Sequence, residues 1–149
     1  MFRQDRCVHR GGPFRTPPAF AGGKETLIMD AKNWPELTKG WSGELKNLRG
    51  GAPEVMKAFS AIAQSALTQG ALDAKTKELI AIAISVAVRC DDCIGFHVKA
   101  AVDRGATREE ILETLGMAIY MGAGPSAMYA GHALGAYTQF AAAKSAQAA

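Results

Sequence analysis

The chain has 149 residues, of which 48% are hydrophobic and 21% charged, and its formal net charge is +3. This length and composition suit one compact domain and argue against wholesale disorder. The longest apolar run, Leu79 to Val88, is well short of the roughly 20 residues of a membrane-spanning helix, so it predicts a buried helix and no membrane insertion.

The net positive charge belongs to residues 1–28. Of the 17 basic and 14 acidic residues in the chain, five basic and two acidic ones lie there, which leaves 12 of each sign in the remainder. The body of the protein therefore has no basic excess to attract nucleic acid or anionic lipid. Residues 1–28 also contain Gly-Gly and Pro-Pro pairs without helical periodicity. We predict that residues 1–28 are a disordered extension and that residues 29–149 form a helical domain. The alternative is that the start codon is misassigned and that the protein begins at Met29.

The remaining chain predicts an all-α fold of about six helices. A short first helix runs from Trp34 to about Leu48 and is expected to be interrupted near Gly40 and Gly43. A second begins at Pro53, which suits a first helical turn, and ends at Gly70. Asp73 is a capping residue for a third helix that reaches about Val88.

Three further helices follow. The fourth spans about Asp91 to Arg104 and is closed by Gly105. Thr107-x-x-Glu110 is a capping-box pattern that opens the fifth. Gly122-x-Gly124-Pro125 predicts a break before the sixth helix, which runs to about Ala143. The residues of the fifth helix expected to face inward are Ile111, Leu115, Ala118 and Ile119.

The most informative motif is Cys90-Asp91-Asp92-Cys93, with His97 four residues on. On a helix these three side chains share one face. The positive end of a helix that begins here lowers a thiol pKa, whereas the two aspartates raise it. Thiol–disulfide or peroxide chemistry is the first hypothesis and metal binding the second.

Glu78 is the other ionisable residue that stands out, because it lies beside an apolar stretch. On one straight helix it would be about 18 Å from Cys90. Glu78 can join the cysteines if the chain turns back between the third and fourth helices, and Arg89-Cys90 is the place expected for that turn. It can also reach the cysteines of another subunit across a subunit contact. The alternative is a first-turn residue that the helix dipole stabilises.

Other interpretations of the cysteines remain open at this point. Free cysteines are often small buried hydrophobic residues. A zinc site needs about four ligands, and His132 or Cys7 would have to complete the set. Only three cysteines occur in the chain. Because they form no disulfide framework, and because the N-terminus lacks the apolar stretch of a secretory signal, we expect a reducing cytoplasmic location.

The stretch from Pro53 to Tyr137 resembles the AhpD-like alkylhydroperoxidase group of the carboxymuconolactone decarboxylase superfamily. The matching signature is Glu78, eleven residues, and then Cys90-x-x-Cys93-x-x-x-His97. The flanking segments agree as well: Gly70-Ala71-Leu72-Asp73, Lys77-Glu78-Leu79, Gly105-Ala106-Thr107 and Met121-Gly122-Ala123-Gly124-Pro125.

The resemblance implies an all-helical domain that assembles into homotrimers or homohexamers and needs no metal or other cofactor. It implies that Cys93 attacks a hydroperoxide, that Cys90 resolves the product as a disulfide, and that Glu78 and His97 relay the proton. An external dithiol, in the best-known member a lipoylated protein, reduces the disulfide.

The sequence departs from that family at Asp92. The best-known members carry a second histidine there, so the efficiency of the relay and the choice of reductant are in doubt. A dithiol–disulfide oxidoreductase, or a redox-sensing protein without efficient turnover, is therefore the alternative. The decarboxylases proper lack the paired cysteines, which makes decarboxylation the weaker expectation.

Overall fold

The computed structural model describes residues 32–148, and the predicted extension over 1–28 lies outside them. The described residues form helices only, which confirms the all-α class. The helices are α1 (Trp34–Gly51), α2 (Pro53–Leu67), α3 (Ala74–Ala87), α4 (Asp91–Asp103) and α5 (Arg108–Ala148). None of them is long and apolar enough to cross a membrane.

Helices α3, α4 and α5 pack against one another and form the core. Helix α1 lies against α4 and α5, and α2 contacts α1 and α3. The core side chains are mostly aliphatic, and those with no exposed surface include Ile82, Val86, Ile94, Val98 and Ile111. Burial of such side chains is the main stabilising contribution to a helical domain.

The predicted interruption of the first helix is wrong. Helix α1 continues through Gly40 and Gly43, where an added Cβ would meet open space. A glycine inside a helix costs only about 1 kcal/mol. The helix is anchored elsewhere, because Asn33 caps its first turn and Trp34 and Thr38 are buried. These tertiary contacts outweigh the local preference.

Helix α1 approaches α4 closely at Gly95. A Cβ on Gly95 would lie 2.8 Å from Oγ1 of Thr38 and 3.5 Å from a ring carbon of Trp34. The segment before α1 is held as well, since Gln139 on α5 bonds the backbone N–H of Trp34 and the carbonyl of Lys32. The absence of a side chain at Gly95 therefore lets α1 cover one flank of α4.

The predicted break between the fifth and sixth helices is present, because α5 consists of two helical segments that meet at a kink there. Ala123 has φ 51° and ψ −145°, a conformation that is not helical. Gly122 is required beside it, because a Cβ there would come within 1.9 Å of Oγ of the buried Ser126. The predicted Thr107–Glu110 capping box is present, with both reciprocal hydrogen bonds formed.

Two predictions of burial need correction. Helix α3 buries Ile82 and Val86, but Ile80, Ile84 and Val88 on its other face are exposed. Ile119 on α5 is also partly exposed, unlike Ile111, Leu115 and Ala118. A run that is apolar all round has no periodicity, so it cannot tell which face meets the rest of the chain.

A tight turn at Arg89 reverses the chain between α3 and α4. The N–H of Cys90 bonds the carbonyl of Ser85, and the N–H of Arg89 bonds that of Val86. This is a Schellman motif, which places its C′ residue in the left-handed region. Arg89 occupies that position with φ 62°. Helix α4 ends in the same motif, but there Gly105 occupies the left-handed position, with φ 78°.

Exchange of residue type at these two turns should change stability in opposite directions. Arg89→Gly should raise the free energy of unfolding by about 0.5–1 kcal/mol, because glycine adopts positive φ without steric cost. Gly105→Ala should lower it by about 1 kcal/mol for the converse reason. Both free energies of unfolding are measured by urea titration of the oxidised protein at one fixed protein concentration. A less stable Arg89→Gly variant would contradict the account of this turn.

Candidate functional site

Cys90 and Cys93 form a disulfide at the start of α4. Their Cα atoms are 5.3 Å apart, well inside the range of roughly 4.4–6.8 Å that a disulfide requires. Cys90 is the N-cap residue of α4, and Cys93 lies in its first turn. The turn at Arg89 creates this arrangement, because it ends α3 immediately before the cap.

The sulfur of Cys90 takes the place of the usual capping oxygen. The backbone N–H of Cys93 points to it, with 3.2 Å between N and Sγ. The first turn also carries Asp91 and Asp92, whose negative charges suit the positive end of the helix dipole. The redox pair is therefore part of the local structure that begins α4.

A buried carboxylate connects α3 to α4 beside this pair. Glu78 is only 1% exposed. Its Oε2 lies 2.8 Å from Nδ1 of His97, and its Oε1 lies 3.1 Å from Nη1 of Arg104. His97 lies in α4 and Arg104 is the C-cap residue of that helix, so the carboxylate bridges the two helices. Glu78 is the fifth residue of α3 and lies beyond its first turn. Its contacts with His97 and Arg104, and not the helix dipole, therefore stabilise the carboxylate.

This arrangement determines what His97 can do. An ionised Glu78 only accepts hydrogen bonds, so Nδ1 of His97 donates to it and Nε2 is left to accept a proton. The His97 side chain is one-third exposed, so it can exchange protons with solvent. A histidine oriented by a carboxylate in this way is suited to general base catalysis.

A groove of about 460 Å³ opens over the two cysteines. Cys90, Cys93 and His97 all line it, together with Asp92. The remaining lining residues come from α1, α2 and α4 and are mostly apolar: Trp41, Leu45, Arg49, Phe59, Ala63 and Phe96. The groove gives a small molecule access to the sulfur atoms and to the imidazole together.

A second ionic cluster lies next to the redox pair in sequence. Oδ1 of Asp91 is 2.9 Å from Nδ1 of His132 on α5, and Lys32 forms an ion pair with the same carboxylate. Burial opposes ionisation of Asp91, but the hydrogen bonds from Lys32 and His132 outweigh it and hold the pKa of Asp91 below its usual value. This cluster fastens the first turn of α4 to α5 and to the segment before α1.

His132, proposed as a fourth zinc donor, lies apart from the groove that Cys90, Cys93 and His97 share. His132 bonds Asp91 through Nδ1 and does not line the groove of the cysteines. Cys7 lies outside the described residues. Within 32–148, no three His, Cys, Asp or Glu side chains are arranged to hold a metal ion.

The structure brings together all four residues that the sequence singled out. Glu78 bonds His97, and His97 shares the groove with Cys90 and Cys93. Arg104 was not among the residues that the sequence motifs singled out. Its position seven residues after His97, two helical turns along the same face, was the available signal, since a buried carboxylate needs charged or hydrogen-bonding partners.

Comparison with known protein families gives a match over most of the helical region. A model of the carboxymuconolactone decarboxylase family matches residues 53–136. The matched range contains Cys90, Cys93, Glu78, His97 and Arg104. It begins after α1, so the α1 residues that line the groove are outside it.

Two solved structures are similar in fold and sequence. The apo form of a carboxymuconolactone decarboxylase family protein from Legionella pneumophila is 54% identical, with a TM-score of 0.71 over 72% of this chain and 96% of that one. A family member from Thermotoga maritima, for which a role in antioxidative response has been suggested, is 29% identical. Its TM-score is 0.67 over 78% of this chain and 96% of its own.

Sequence relatives extend the comparison to two other bacteria. An uncharacterized protein from Cupriavidus necator is 48% identical over 82 residues, which are 55% of this chain and 73% of the relative. An uncharacterized protein of the cox locus of Paracoccus denitrificans is 43% identical over 77 residues, or 52% of this chain and 69% of the relative.

Proposed function

This chain belongs to the carboxymuconolactone decarboxylase family, and from that premise we propose that it is a thiol-dependent peroxidase that reduces hydrogen peroxide or alkyl hydroperoxides. One observation carries the proposal. The Cys90–Cys93 pair opens into the same groove as His97, and buried Glu78 orients that imidazole. A dithiol next to an oriented base is the set of groups that peroxide reduction requires.

In the proposed first step, the Cys93 thiolate attacks the distal oxygen of the hydroperoxide. A sulfur–oxygen bond forms while the oxygen–oxygen bond breaks. The alkoxide leaves as the alcohol after it takes a proton, and Cys93 becomes a sulfenic acid. His97 removes the thiol proton through Nε2, directly or by way of water, while Glu78 stabilises the imidazolium that forms.

In the second step, the Cys90 sulfur attacks the Cys93 sulfur. The disulfide forms, and the sulfenic oxygen leaves as water. An external dithiol then returns two electrons and two protons, which regenerates both thiols. A lipoylated protein is the type of reductant that the family resemblance suggests. A reducing cytoplasm, the compartment expected from the sequence, supplies such dithiols.

A second candidate is dithiol–disulfide exchange or redox sensing without efficient peroxide turnover. The observation that favours it is Asp92, which lines the groove where the best-known family members have a histidine. A carboxylate beside the thiols raises their pKa values and lowers the thiolate fraction. The peroxide-consumption assay described below separates the two candidates.

The exposed apolar faces support a homo-oligomer, and we propose a homotrimer or homohexamer. Ile80, Ile84 and Val88 form a stripe along α3 at four-residue spacing. Met117, Tyr120 and Met121 on α5, with Met128 beyond the kink, are also more than half exposed. Large apolar side chains that are exposed together on a helix face mark a site of protein–protein interaction. Sedimentation equilibrium measures the mass, and a monomer at micromolar concentration would contradict this proposal.

The direct test is steady-state consumption of tert-butyl hydroperoxide with dihydrolipoamide as the reductant. We expect many turnovers per chain, and we expect Cys93→Ser to abolish them because the attacking sulfur is lost. A stop after one equivalent would indicate a sensor. No peroxide consumption, with the Cys90–Cys93 disulfide still formed and reduced, would transfer the assignment to disulfide exchange.

A trapping experiment assigns the roles of the two cysteines. In a Cys7→Ser background, Cys90→Ser leaves Cys93 as the only thiol. A dimedone-type reagent should then trap one sulfenic acid per chain on Cys93 after one equivalent of peroxide. The matched Cys7→Ser, Cys93→Ser protein should trap none. A trapped sulfenic acid on Cys90 in that protein would reverse the assignment.

Glu78→Gln tests the proton relay. The amide keeps the shape of the side chain but removes the charge that stabilises the His97 imidazolium. We expect the rate of peroxide reduction at pH 7 to fall about 100-fold, with its pH profile moved to higher pH and the helical circular dichroism retained. Glu113→Gln, an exposed substitution on α5, is the control. A folded Glu78→Gln protein with an unchanged pH profile would remove Glu78 from the mechanism.

A further inference from the structure

The groove over the cysteines has one wall that the family match does not include. Helix α1 precedes the matched range of 53–136. Trp41, Leu45 and Arg49 of this helix all line the groove. Their four-residue spacing places them along one face of α1. This face therefore belongs to the redox site of this chain.

Residues of two other helices add apolar surface to the groove. Phe59 and Ala63 on α2 and Phe96 on α4 line it, so α1, α2 and α4 each contribute an aromatic side chain to the groove of the cysteines. The groove has a volume of about 460 Å³. That volume is within the range of roughly 300–1,000 Å³ that is typical of sites for organic ligands, whereas one water needs about 30 Å³. A site for hydrogen peroxide alone would need far less space and no aromatic walls.

Two opposite charges lie along this groove and are not paired with each other. Asp92 lies between the cysteines in sequence, and Arg49 lies in the last turn of α1, the helix that forms one wall of the groove. Within residues 32–148, neither side chain forms an ion pair. An anionic group would be repelled by Asp92 and attracted to Arg49. These charges would draw the anionic end of a ligand to the α1 wall of the groove and away from Asp92.

We propose that the preferred oxidant is an amphipathic organic hydroperoxide with an apolar body and a carboxylate. Its uncharged –OOH group lies at Cys93, its apolar body packs between Trp41 and Phe59, and its carboxylate pairs with Arg49. The inference rests on the proposed peroxidase function. In the reaction, the Cys90–Cys93 dithiol supplies two electrons to the hydroperoxide, and the products are an alcohol, water and the disulfide.

The test measures the oxidation step alone, because a reductant would use the same groove. Pre-reduced protein is mixed with hydrogen peroxide, linoleic acid hydroperoxide or the methyl ester of that hydroperoxide, and the second-order rate constant of thiol loss is determined. The wild-type protein should react faster with the acid than with the ester, and faster with both than with hydrogen peroxide.

Two variants and their matched controls identify the contacts. Phe59→Ala should lower the ratio of the ester rate constant to the hydrogen peroxide rate constant about tenfold. Arg49→Gln should lower the ratio of the acid to the ester about threefold, as expected for a solvent-exposed ion pair. Val55→Ala on α2 and Lys46→Gln on α1 are the controls, since both residues are exposed and neither lines the groove.

The possible outcomes separate this inference from the proposed function. Equal rate constants for the acid and the ester, or an acid-to-ester ratio that Arg49→Gln leaves unchanged, would overturn the role of Arg49. A Phe59→Ala protein with the ester-to-peroxide ratio of the wild type would overturn the apolar pocket. In both cases peroxidase activity itself would stand. Failure of all three oxidants to oxidise the thiols would overturn the peroxidase proposal together with this inference.

Discussion

The buried carboxylate of Glu78 is the constraint on which the site depends. An ionised carboxylate removed from water costs several kcal/mol unless charged or hydrogen-bonding partners replace the solvent. Its partners are His97 in α4 and Arg104 at the C-cap of that helix. Satisfying Glu78 therefore requires α3 to meet α4 at these two positions. That alignment places the imidazole of His97 in the groove that Cys90 and Cys93 line.

The turn at Arg89 provides the second half of the same arrangement. It ends α3 with a Schellman motif and leaves Cys90 as the cap of α4. The cysteine pair is therefore at a helix N-terminus, where amide dipoles favour a thiolate. Asp91 then bonds His132 and Lys32, which holds this terminus against α5. The cysteine pair therefore lies at a helix N-terminus that is fastened to the core.

Local signals predicted the helix boundaries well, and the errors have a common physical cause. Asp73 caps α3 and the Thr107–Glu110 box opens α5, because capping depends on residues close in sequence. Gly40 and Gly43 suggested an interruption that does not occur, since the buried side chains of Trp34 and Thr38 anchor α1 from a distance. The exposed face of α3 was not predicted, because a uniformly apolar run does not indicate which face of the helix is buried.

By itself, the sequence determined the all-α class, the positions of the main turns and the four chemically distinctive residues of the site. Spacing placed Cys90, Cys93 and His97 on one helical face, since residues three and four apart are neighbours on any α-helix. Only the tertiary structure decided that Glu78 meets His97, that Arg104 joins them, and that α1 supplies a wall of the groove. These contacts join different helices, and they depend on how the chain reverses at Arg89 and how closely α1 approaches Gly95, which no local pattern encodes.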